Sequence, residues 1–182
     1  MRRTTRRAAI TLAVTALGAG AVLAAPTAAA DNKRLNESIV ANVHTVMMRA
    51  GCADDYDIEP MVRVNPKLRL AAQWHANDVL HNRALDGDIG SDGSTVADRA
   101  RAAGYEGEVA ETVAINPALS INAVEVMNQW WYRPDYHATM AHCGNMHIGV
   151  WSENSLDRSV LVAVYGRGDG AEPAAVPPRQ FG

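Results

Sequence analysis

Two titratable side chains stand where chemistry could be done. Glu111 lies in a short apolar run, A-E-T-V-A-I over 110–115, and His137 follows the break made by Arg133-Pro134. A carboxyl and an imidazole placed at element ends can face a cleft rather than the core, where they could pair as ions, hold a cation or exchange a proton. His75 is a third candidate, but it falls on an apolar stripe, where a histidine bonded to a nearby backbone or side-chain group is the expected outcome. His81, six residues on, points off that face, so the two are not paired ligands. His44 lies off its helix's stripe, and His142 and His147 flank Cys143. The stretch D-G-D-I-G-S-D-G (86–93) carries three Asp. A calcium loop counted from Asp86 would need Gly sixth and an acid twelfth, where Ser91 and Ala97 stand, so a solvated turn is expected. Neither G-x-S-x-G nor H-E-x-x-H occurs in the sequence.

The elements that must carry these groups follow from periodicity. Leu35, Ile39, Val43, Val46, Met47 and Ala50 recur at steps of three and four, which predicts a helix over 35–50 stopped by Gly51. Residues 52–64 show no period and are expected to be a loop. Asn65-Pro66 is a helix start, an N-cap side chain before a residue whose fixed φ suits the first turn, and Leu68, Ala71, Ala72, His75 and Val79 give that helix its buried face. Ser94 or Thr95 caps the next helix, with Asp98 completing a capping box after Thr95 and Gly104 ending it. The β-branched run 109–115 predicts a strand, broken by Asn116-Pro117. Ser120 is the expected cap of a helix carrying Ile121, Val124, Met127 and Trp131, and a short helical piece over 137–141 follows. Two strands, 147–151 and 159–165, joined by a polar link, predict an antiparallel pair. Helices with a small sheet of scattered strands make the fold class α+β.

The first thirty of the 182 residues are of another kind. Arg2, Arg3, Arg6 and Arg7 precede an uncharged apolar run, and Ala28-Ala29-Ala30 offers a small-residue cleavage site, so 1–30 is expected to be a signal peptide and to leave no membrane span once removed. Four of the 17 Lys and Arg lie there, leaving 13 against 20 Asp and Glu, a net charge of −7. That balance excludes an electrostatic case for nucleic acid. The two cysteines, Cys52 and Cys143, both lie in the exported part, and an even pair in an oxidising compartment predicts one disulfide. Residues 31–168 are expected to form one monomeric domain, and the Gly-, Ala- and Pro-rich 169–182 a disordered tail.

Five segments, in order, carry a resemblance. They are N-P-K-L-R-L-A-A-Q-W-H-A-N-D (65–78), G-S-D-G-S-T-V-A-D-R-A-R-A-A-G-Y (90–105), A-E-T-V-A (110–114), P-D-Y-H (134–137) and H-I-G-V-W (147–151). Together they resemble the CAP superfamily of cysteine-rich secretory, antigen 5 and pathogenesis-related 1 proteins, in its short bacterial SCP-like form. The resemblance implies a three-layer α-β-α sandwich around a small, mainly antiparallel sheet, with a central cavity lined by two His and two Glu that takes a divalent metal in some members. On that basis Glu111 matches one cavity Glu, and His137 matches the His of a Ser-Pro-x-His segment. Asp88 stands where the other His is expected, two places before Gly-Ser-Asp-Gly, and the second Glu has only Glu125 and Gln129 near its place. One imidazole with two carboxylates suits a harder cation than zinc, and a metal-free cleft pairing Asp88 or Glu111 with His137 is the expectation.

The function expected is therefore a secreted binding module, for an apolar small molecule of lipid or sterol type or for a protein partner. Trp130, Trp131 and Tyr136, beside His137, are mostly expected in the core, and whichever ring is exposed would wall the ligand site. No catalytic residue is assigned. The alternative is a metal-assisted hydrolase with Glu111 as base and Asp88 and His137 as ligands. Arg167-Gly168-Asp169, an adhesion-type triplet, is expected to be a coincidence.

Overall fold

A computed structural model describes residues 28–52, 62–117 and 121–168, with side chains from residue 32 onward. The expected tail and nearly all of the expected signal peptide lie outside the described residues. Nine elements follow in order: α1 (Ala28–Arg49), β1 (Arg63–Val64), α2 (Pro66–His81), α3 (Val96–Ala102), β2 (Glu108–Pro117), α4 (Ala123–Trp131), α5 (Pro134–Met140), β3 (His147–Asn154) and β4 (Arg158–Arg167).

The sheet runs β1-β3-β4-β2, antiparallel except where β1 lies parallel to β3. Its central strand, β4, explains the layering. Residues of a strand point alternately to its two faces, and here both sets are apolar. Leu161, Ala163 and Tyr165 bury against α1, α4 and α5, together with Ile39, Val43, Val126, Trp130, Tyr136 and Met140. Val160, Val162 and Val164 bury on the other face with Leu68, Ala72, Val79 and Ala100 of α2 and α3. A strand apolar on both faces needs a cover on each, and the result is an α-β-α sandwich with two cores.

Local signals place the helices. The Asn65 side chain accepts from Lys67 N and Leu68 N ahead of Pro66, and Thr95 and Asp98 form a reciprocal capping box at α3. Gly104 takes φ +85° just beyond α3, the left-handed conformation that favours glycine. At α4 the cap is Asn122, whose side chain accepts from Glu125 N, while Ser120, expected in that role, lies outside the described residues. β1 spans two residues that periodicity cannot register. Both final strands reach further than expected, because Ser155 closes their turn by donating its N–H to Arg158 O at 2.7 Å.

Cys52 and Cys143 are bridged, with Cα atoms 5.1 Å apart, joining the end of α1 to the segment after α5. Across 91 residues such a bridge stabilises by about 4 kcal/mol in the chain-entropy picture. Among the described residues no helix is long and apolar enough to cross a membrane.

β3 crosses beneath the start of α2 with no room for a side chain. A Cβ on Gly149 would fall 2.0 Å from Arg69 N and 2.1 Å from Leu68 C, both backbone atoms, whereas one on Gly87 would meet nothing within 4 Å. Gly149→Ala is expected to cost about 3 kcal/mol or more, as overpacking that only backbone movement can relieve, and Gly87→Ala less than about 0.5 kcal/mol. Urea unfolding of the two variants checks the contrast.

Candidate functional site

Glu111 points from β2 toward α2 and α3, on the face it shares with Val113. It is 6% exposed, and a carboxyl so placed needs polar partners. Arg99 supplies one. Its side chain, also 6% exposed, reaches down from α3 so that Nη2 donates to Glu111 Oε1 at 2.7 Å. The same Nη2 donates to the Asp88 backbone carbonyl at 2.9 Å, and Nη1 donates to Ser94 O at 2.7 Å and to Ser94 Oγ at 3.2 Å. One guanidinium thus gathers β2, α3 and the segment leading into α3.

His75 completes the cluster from α2. It is 1% exposed, as a stripe histidine should be. Its Nε2 donates to the Gly87 carbonyl at 3.0 Å, which fixes the tautomer, and lies 3.7 Å from Glu111 Oε1. Burial pushes the His75 pKa down, Arg99 adds to the effect, and the ring is neutral at pH 7. Burial pushes Glu111 up to about 8, with Arg99 opposing and Asp88 reinforcing.

Asp88 enters from the other side. Its Oδ1 accepts from the Tyr136 hydroxyl at 2.8 Å, a bond that reaches α5 in the opposite helical layer. Burial, followed by this bond to Asp88, raises the Tyr136 pKa, so the phenol keeps its proton and remains a donor.

Of the residues singled out in the sequence, Asp88 and Glu111 are thus brought to one cluster, both bonded to Arg99, Asp88 through its backbone. His137 lies one residue round α5 from Tyr136, its ring edge-on to Trp131 at 4.4 Å between centroids. Counting the Ser-Pro-x-His segment from Arg133 puts Tyr136 in its fourth place, and Tyr136 is the residue that reaches Asp88. Trp130 and Tyr136 are buried in the core, and Trp131 is 43% exposed. Gln129 bonds Asn116 on β2, and Glu125 is exposed in the first turn of α4. Arg167 of the adhesion-type triplet is engaged, with Nε 2.5 Å from Glu108 Oε2 and Nη1 at 2.9 Å from His142 Nε2. Asp169 lies outside the described residues.

A second feature lies at the far edge of the sheet. Because β1 is only two residues long, β3 runs on past it, and a groove of about 680 Å³ opens between α1, the start of α2 and β3. Val40, Val64, Val150 and Trp151 give it apolar walls, and Lys33, Glu37, Arg69 and Glu153 line it with charge. The Arg69 guanidinium lies 5.9 Å from the centre of the Trp151 ring.

No family model matches the sequence, and no curated protein matches it. Solved structures do match the fold. An outer surface protein of Borrelia burgdorferi superposes with a TM-score of 0.62 at 15% identity, over 75% of this chain and 95% of that one. An extracellular protein of Bacillus anthracis containing an SCP domain gives 0.61 at 12%, over 75% and 41%. The fold is that of the SCP/CAP domain. A cysteine-rich secretory protein of Staphylococcus aureus gives 0.51 at 9%, over 75% and 40%. The chain spans nearly all of the first protein but less than half of the other two.

The divalent metal that the CAP resemblance implies does not fit the residues present. Glu111 Oε1 and the Asp88 carbonyl are already turned onto a guanidinium, Asp88 Oδ1 holds a phenol, and the His75 Nε2 proton faces Gly87. Among the described residues no group of three or more His, Cys, Asp or Glu could hold a metal ion.

The Glu111 shift has a pH signature. A carboxyl whose folded pKa lies above its unfolded value of 4.5 favours the folded state fully below pH 4.5 and loses that contribution as pH rises through about 8. His75 works in the opposite sense, its neutral form being favoured, so stability falls as pH drops below 6.5. Glu111→Gln, which mimics the protonated acid, is expected to leave stability at pH 6 within about 1 kcal/mol of the parent and to gain on it steadily from pH 6 to 9. Urea unfolding across that range checks it. A loss of several kcal/mol at pH 6 would mean that the carboxyl is ionised there.

Proposed function

We propose that this protein is an exported SCP/CAP-fold binding module that takes an apolar small molecule of lipid or sterol type in the groove between α1 and β3. The groove carries the reading. Its volume of about 680 Å³ lies within the range of small-molecule sites, and its lining mixes apolar walls with a few polar groups able to orient a ligand. Export is supported by the basic-then-apolar start of the chain, by the disulfide, and by the outer-surface, extracellular and secretory descriptions of the matching proteins.

The polar cluster argues against the hydrolase alternative. A general base must reach a substrate proton, yet Glu111 is buried and bonded to Arg99. Asp88 and His137, the ligands that alternative requires, bond to Tyr136 and pack on Trp131 respectively.

The mature protein is expected to bind a fluorescent fatty acid or sterol saturably. Val64→Asp sets a charge on the apolar wall at a residue that is 50% exposed, and should weaken binding about tenfold or more without loss of folding. Glu111→Gln should leave affinity unchanged. Peptide and ester assays of the metal-loaded and metal-free protein should show no turnover; turnover abolished in both Glu111→Ala and His137→Ala would make the protein an enzyme instead.

A further inference from the structure

The Arg99 guanidinium sits in a cage of oxygens. Glu111 Oε1 and the Asp88 carbonyl face Nη2, while Ser94 O and Oγ face Nη1, all within 3.2 Å. A carboxyl, two backbone carbonyls and a hydroxyl are hard donors, the set that proteins use for cations rather than for neutral ligands. The cage is assembled from separate pieces of chain, residues 88–94 and β2, and Arg99 comes to it from α3 as the guest. We infer that the cleft is a cation site whose cation the chain supplies itself: Arg99 fills it, closes it to divalent metal, and its removal leaves a vacancy selective for a free guanidinium ion.

The selectivity follows from shape. The cage oxygens meet two nitrogens of one planar group, a fork that guanidinium matches and a point charge does not reproduce. Single-point contact with Glu111 fits the same picture. Nη2 is shared between Glu111 and the Asp88 carbonyl, which leaves Glu111 Oε2 and Arg99 Nε buried without hydrogen-bond partners, so the guanidinium is placed to serve the whole cage rather than to pair with the carboxyl alone. The inference is independent of the groove and of what it binds.

The test uses the mature protein, its Arg99→Ala, Arg99→Lys and Glu111→Gln variants, and the double variant Arg99→Ala/Glu111→Gln. Truncating one partner of a buried charged contact should lower the Tm of Arg99→Ala by on the order of 10 °C. Methylguanidinium at low millimolar concentration should then raise that Tm, leave the parent unchanged, and, at pH 9 where the Glu111 carboxyl is ionised, act more weakly on the double variant. Arg99→Lys, which keeps the charge without the fork, should stay destabilised. Should Arg99→Ala not fold, the parent still decides the matter. Equilibrium dialysis of the parent against zinc, manganese or calcium should show no stoichiometric uptake that depends on Glu111, and the Arg99 side-chain N–H signals should exchange slowly in nitrogen-15 spectra. One equivalent of metal taken up by the parent and lost in Glu111→Gln would overturn the inference, as would a folded Arg99→Ala protein indifferent to methylguanidinium.

Discussion

A carboxyl taken out of water at Glu111 has to be answered from inside the protein, and the answer organises one whole side of the molecule. Arg99 can reach Glu111 only if α3 lies along β2, and once there its other N–H groups turn the carbonyls of Asp88 and Ser94 inward. That winds the segment between α2 and α3 around the open edge of β2. The wound segment then presents the Asp88 side chain to Tyr136, so a contact made between α3 and the sheet ends as a tie to α5 in the opposite layer. Two helical layers that share only the sheet between them are thus also joined around its margin.

The two margins of the sheet are consequently unlike. At β2, an outer strand of ten residues, the middle positions 111–114 are all buried, and that edge is covered against pairing with another chain. At the other margin β1 contributes two residues, and the space beside the continuing β3 is the groove. One edge is closed by polar contacts and the other opens into the groove. The cluster that looks most like a catalytic centre clasps the two helical layers together, and the groove lies across the sheet from it.

Most of the architecture was legible because its signals are local. Asn65-Pro66, Thr95 with Asp98, and Gly104 each fix a helix end through contacts within a few residues, and the β-branched runs of β2, β3 and β4 mark buried strands. What escaped was decided at a distance. β1 exists because Arg63 N and Asn65 N find Met146 O, just before β3, and Ile148 O on it, far along the chain, and nothing in its own two residues says so. In the cleft, Glu111 and Asp88 could be named, but Arg99 was passed over because an arginine on a helix is normally a solvated one. Its signal was present nonetheless: with Val96, Ala100 and Ala103 it shares the stripe that packs on the sheet, a costly place for a charge without a purpose. That Tyr136, and not its neighbour His137, bonds Asp88 depends on one residue of register, about 100° of helix rotation, finer than sequence pattern resolves at the start of a short helix.

The bridge between Cys52 and Cys143 joins the end of one helix to the far side of four others, and so makes a closed ring of everything between them. A protease cut anywhere within that ring opens a loop without parting the molecule. α1 on one side and the β3–β4 hairpin on the other stay covalently attached to both fragments' ends, and the sheet with its two cores can hold its shape after a scission that would divide an unbridged chain into two diffusing pieces. Endurance against proteolysis then depends less on resisting the first cut than on surviving it.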